Sequence, residues 1–166
     1  MIETTKTTIP PDELRLAQLA CAKLAELVQG TLSIGLPALV TGVPNPQVFL
    51  EDQFRVLTAF AEVLHVVSGK PGNQEEILRL RYRSGAVASG LEHLRRRLME
   101  CLDPSQTLPL TLETARHSAS ALCDAIAGYG DLIQLDRSRI EKVKCVVVEV
   151  FDGVGNMTEV AEPSAG

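Results

Sequence analysis

One stretch limits the possible folds more than any other. Gln74 to Asp103 is the longest uninterrupted helical pattern in the chain. Ile77, Leu80, Ser84, Val87, Leu91, Leu94, Leu98 and Leu102 recur at alternating steps of three and four. At about 100° per residue these positions share one face, so the stretch reads as an amphipathic helix that other elements must cover. Glu75 and Glu76 stand in its first turn, where negative charge suits the helix dipole. Asp103-Pro104 ends it, because the residue before a proline is pushed out of the helical region.

Beside the apolar stripe runs a second one: Arg79, Arg83, Ala86, Gly90, His93 and Arg97. It is cationic at both ends and small in the middle. Gly85 and Gly90 each cost a helix roughly 1 kcal/mol relative to alanine. Such a segment admits a close neighbouring helix, kinks, or leaves room for a ligand.

The 166 residues suffice for one domain with a full-sized core. Aromatics are only 4% and Trp is absent, so the core must be built from Leu, Val, Ala and Ile, which favours helix packing. The shortage of rings also argues against stacking platforms for single-stranded nucleic acid. A net charge of −5 gives no overall pull toward nucleic acid or anionic lipid. The cluster Arg95-Arg96-Arg97 keeps nucleic acid open at one place only. Cys21, Cys101, Cys123 and Cys145 are widely spaced with no C-x-x-C pair, which predicts reduced thiols in a cytoplasmic protein and no structural zinc. The polar, Thr-rich start predicts no secretory signal, and the lack of a run of about 18 apolar residues predicts no membrane span.

Along the chain, residues 1–9 read as a flexible arm, 10–152 as a single helical-bundle domain and 153–166 as a disordered tail. A first helix is expected from Pro11 to Gln29, with Gly30 as its stop. Gly35, Pro37, Gly42 and Pro44 then predict a long apolar loop over 31–45, laid across the bundle. Asn45-Pro46 reads as an N-cap and first helical position, opening a second helix that runs to Ser68. That helix has two apolar stripes, one through Phe49, Val56, Phe60 and Val63, the other through Leu50, Phe54, Leu57, Ala61 and Leu64. A helix apolar on two sides is central in its bundle or lies at a subunit interface.

A fourth helix is expected from near Thr111, with Gly128-Tyr129-Gly130 interrupting it. A fifth segment covers Asp131 to Asp152, with Asp136 as its cap. Its β-branched part, 144–151, leaves strand open beside helix. Matching heights across the 104–110 turn puts 84–90 opposite 124–130, two small-residue patches that either pack closely or enclose a cavity.

Among chemical motifs, Glu62-x-x-His65 matches half of the carboxylate-bridged di-iron pattern, which needs a second such pair. His93 and His117 lack the spacing for it, so no metal and no other cofactor is expected. His65-Val66-Val67-Ser68-Gly69 resembles the His-x-Leu-Lys-Gly segment of histidine-phosphotransfer domains, which are also helical bundles. The resemblance covers residues 65–69 alone and implies phosphoryl transfer through His65. Ser68 stands where that family has its lysine, and Pro71-Gly72 breaks the helix that the family continues. No G-x-S-x-G, P-loop or dinucleotide fingerprint occurs.

Arg79, Arg83, Gly90, His93 and Arg97 form the candidate binding stripe, since guanidinium grips phosphate or carboxylate in bidentate fashion. The competing expectation is a solvated face balanced by acids on neighbouring helices.

The sequence thus predicts an all-α, four- to five-helix up-and-down bundle. Its expected function is a non-enzymatic interaction module, an adaptor, assembly or regulatory subunit, that self-associates or binds a protein partner. The alternative is a small-molecule or anion-binding protein with its pocket between 84–90 and 124–130. Phosphotransfer through His65 is the second alternative.

Overall fold

The computed structural model describes residues 7–41 and 44–161, and among them it is all-α. Five helices follow in chain order: α1 Pro11–Thr41, α2 Pro46–Ser68, α3 Gln74–Glu100, α4 Leu108–Leu132 and α5 Arg137–Ala161. Each packs on its neighbours in the chain, and α5 closes back onto α1, which also touches α4. Lys144 of α5 meets Asp124 of α4 at 2.8 Å and Arg116 of α4 meets Asp152 of α5 at 3.2 Å, so these two helices run antiparallel. The up-and-down order leaves α1 and α5 parallel, tied by Arg139 to Glu26 at 3.0 Å.

The apolar stripe of α3 is the buried one: Leu80, Ser84, Val87, Leu91, Leu94 and Leu98. Asn73 caps this helix, its side chain accepting from the backbone N–H of Glu75 at 2.9 Å and of Glu76 at 3.4 Å. Asp136 caps α5 in the same way, accepting from Ser138 N at 3.0 Å.

The expected apolar loop over 31–45 is not a loop. α1 continues through Gly30, Gly35 and Pro37 to Thr41. Pro37 removes one backbone donor and costs a helix interior about 3 kcal/mol. Leu32 and Leu36 are fully buried by that extension, at roughly 1.5–3 kcal/mol each, so burial outweighs the proline. The carbonyl of Ser33, which Pro37 leaves without its helical donor, belongs to an exposed residue that water reaches. Gly35 is used by the packing: a Cβ there would lie 3.3 Å from the Phe49 ring and 3.4 Å from Leu50.

Other boundaries move for similar reasons. Asn45 precedes α2 in the left-handed conformation, φ 55, and makes no side-chain cap, contrary to the expected N-cap. α4 starts at Leu108, with Pro109 in its first turn, and is not interrupted at 128–130. Tyr129 there is fully buried, and Gly130 makes room for Leu135. The helix ends instead at Leu132, and just beyond it Gln134 holds φ 63, with Leu135 N bonding Gly130 O at 2.9 Å and Gln134 N bonding Asp131 O at 3.4 Å. This double bond pattern satisfies the last carbonyls.

Residues 144–151 are helical, because Ile140, Val143, Val147, Phe151 and Val154 form one buried stripe of α5. That stripe carries the helix past Gly153, so the expected tail begins later than Asp152. Of the expected arm, Thr7, Thr8 and Ile9 are held: both Thr hydroxyls and Thr8 N donate to the Glu76 carboxylate, and Ile9 is buried. Residues 1–6, 42–43 and 162–166 of the expected arm, loop and tail lie outside the described residues.

The stretch Pro11–Leu39 is long and apolar enough to cross a membrane by length and composition, although no uninterrupted apolar run marks it. Just over half of its most apolar window is buried inside the bundle, where Ala17, Cys21, Leu24 and Val28 enter the core.

Candidate functional site

The arginine stripe of α3 faces α4 and does not converge. Arg79 and Arg97 stand about 27 Å apart along the helix axis. Arg79 is exposed beside Glu76. Burial pushes the Glu76 carboxyl up, but the bonds from Thr7 and Thr8, helped by Arg79, outweigh it and hold the group below its ordinary value. Arg83 lies over the Tyr82 ring, 6.0 Å from its centroid, and against Gly128, where a Cβ would sit 2.9 Å from its guanidinium. Gly90 receives Leu122, at 3.1 Å from a built Cβ. His93 is exposed, and Arg97 is taken by Glu100 at 3.0 Å.

The two small-residue patches therefore do meet, but Leu122 and Arg83 fill the seam. Of the two outcomes expected for this seam, close packing or an enclosed cavity, the contacts at Gly90 and Gly128 are those of close packing.

Open space lies on the other flank of α3. A groove of about 400 Å³ runs between α2 and α3, walled by Phe54, Thr58 and Ala61 on one side and Ala88 and Leu91 on the other. It continues into a second hollow of about 450 Å³ along Glu51, Arg55 and Ala59. Gly85 stands at its lip, exposed, with nothing within 4 Å of a built Cβ. Tyr82 and Leu78, one and two turns earlier, project outward and are 75% and 58% exposed.

His65 lines the groove and sits 3.3 Å from Ser84 Oγ through Nδ1. Ser84 already donates to Arg81 O at 3.2 Å, so Nδ1–H is the donor in the His65 contact. Arg95 is gripped by Glu92 at 2.7 and 3.1 Å on the rim.

Beneath the groove, α2 is pinned to α4. The Tyr129 hydroxyl donates to Leu64 O at 2.8 Å, Ser68 Oγ donates to the same carbonyl at 2.7 Å, and all three residues are buried. Burial pushes the Tyr129 hydroxyl up to about 12, against the opposing pull of Ser68.

A third hollow, about 520 Å³ between α4 and α5, holds Ile140, Cys145 and Val148, but the Lys144–Asp124 pair bridges its rim.

Tyr82, Leu78 and Thr58 were missed by sequence reasoning, whereas Phe54 and Ala61 of the α2 wall lie on its apolar stripe. The signal was present: Leu78 and Tyr82 are large apolar residues one turn apart, on the side of α3 away from its buried stripe. Comparison with protein-family models, curated proteins and solved structures gives no match for the chain.

Proposed function

We propose that this chain is a non-catalytic helical interaction module, an assembly or regulatory subunit, and that the α2–α3 face is its docking surface. One observation carries the reading. Gly85 weakens the middle of a long helix by about 1 kcal/mol, yet among the described residues nothing lies within 4 Å of where its side chain would be; Gly30 and Gly153 are open in the same way, and Gly85 differs in lining the α2–α3 groove. Gly90 and Gly128 each accept a neighbour from within the bundle, whereas Gly85 opens onto the mouth of an apolar groove. The exposed Tyr82 adds a large amphipathic ring of the kind enriched where proteins dock.

The test is a photo-crosslinking residue placed at Thr58, on the groove wall. It is expected to join the chain to a protein, either itself or another, and Gly85→Leu is expected to abolish the product. Leucine favours helix more than glycine, so this variant blocks the groove without weakening the fold. A Thr58 probe that joins nothing, or a product untouched by Gly85→Leu, overturns the reading.

A further inference from the structure

We infer that the occupant of the α2–α3 face is a second copy of this chain, laid antiparallel about a two-fold axis between Gly85 and Ala88. The inference rests on the interaction-module reading and names its partner. Two features are met by one placement of that axis, and the size of the face suits a dimer.

The first is apolar fit. The His65–Ser84 contact sets the register of α2 on α3, so Thr58 is level with Leu91 and Phe54 with Arg95. An axis midway between Gly85 and Ala88 brings Tyr82 of the second copy level with Leu91 and Thr58, over the groove. It brings Leu78 of the second copy level with Phe54. The two most exposed apolar side chains of α3 thus land on the hollow that lacks a filling.

The second is charge. Among the described residues Arg81 has no carboxylate within 4 Å, while the exposed Glu92 meets Arg95 at 2.7 Å and Arg96 at 3.6 Å on its own helix and leaves its surface side open to a further cation. The same axis sets Arg81 of one copy level with Glu92 of the other, twice over by symmetry. A parallel arrangement would set Arg79, Arg81 and Arg83 against themselves.

The size of the face fits as well. Two adjacent helices about 40 Å long and about 20 Å wide present a face of about 800 Å², which is what one partner contributes to a stable interface. Exposed Gly85 and Ala88 at the axis let the two α3 backbones approach closely there.

The test is molar mass by light scattering on the full chain over a concentration series. The wild type is expected to be a dimer. Arg81→Glu and Glu92→Arg are each expected to run as monomers, with the dissociation constant raised about 100-fold, because each sets like charges together at both symmetric contacts. Mixed one to one, the two variants are expected to dimerise again, since opposite charges then meet at both contacts. Circular dichroism of each variant separates lost association from lost folding.

A wild type still monomeric at about 100 µM overturns the inference, as does a dimer indifferent to both reversals or a mixture that stays monomeric. If a monomeric wild type is joined through the Thr58 probe to a different protein, the interaction-module reading survives without this partner. If the probe joins nothing, both fail.

Discussion

Gln134 holds φ 63, a left-handed backbone that costs an ordinary side chain about 1 kcal/mol and glycine almost nothing. The two bonds that close α4 keep it there. Gln134→Gly is expected to raise stability by about 1 kcal/mol in urea denaturation; a loss would mean that the side chain contributes something more than strain. Three buried groups set the alkaline limit of the protein. Burial pushes the thiols of Cys21 and Cys123 from 9.0 up to about 12 and the Tyr129 hydroxyl from 10.0 up to about 12. The folded value lies above the unfolded one in each case, so the unfolded chain releases its protons first as pH rises. Their stabilisation is complete below about pH 9, falls above pH 9 for the thiols and above pH 10 for the phenol, and is gone past about pH 12. Urea midpoints measured from pH 7 to pH 11 should be level and then drop; a flat profile throughout would mean that these groups reach water. At this scale the buried apolar residues of α3 were legible from their spacing, because burial of a helix face repeats with the helix itself. Gln134 was not, because nothing local marks a glutamine for the left-handed region.

The helices show where local rules give way. Gly30, Gly35 and Pro37 are breakers by every local measure, yet α1 runs through all three. The buried leucines beyond them belong to contacts with other helices, which no window of the chain contains. Replacing Pro37 by Ala is expected to stabilise the protein by about 2 kcal/mol. That figure is the interior-proline cost of about 3 less the roughly 1 that proline contributes by stiffening the unfolded chain. Thermal denaturation would show it, and a lower midpoint would mean that Pro37 shapes a contact of its own. Gly128 and Gly130 fail to stop α4 for a related reason: each makes room for a neighbour, Arg83 and Leu135, so the glycine is used inside the helix. Asp136 caps α5 as expected, whereas Asn45 makes no cap on α2 and Asn73, which the sequence reading placed only in a connection, caps α3.

In the whole molecule, α5 closes the ring against α1, and its last turns matter to that closure. Phe151 and Val154 are buried although they stand at the end of the domain expected from composition. A chain stopped after Asp152 should lose about 2 kcal/mol, the burial of Val154 and of the surface it covers, whereas removal of a true tail would cost nothing. Equilibrium unfolding of the shortened chain decides between these. The all-α class, the buried stripe of α3 and the opposition of 84–90 to 124–130 were legible in the sequence alone, whereas 144–151 stayed open between helix and strand until α5 was seen to bury Phe151 and Val154. Each legible feature depends on helical periodicity and rise, which are properties of a single strand of chain. Which flank of α3 is filled and which stays open was decided only by the tertiary structure. Leu122 and Arg83 close the α4 side, and nothing from α2 reaches over Gly85. The reason is physical: a helix face carries the same residues whether or not a neighbour covers it, and only packing determines where the neighbour stops.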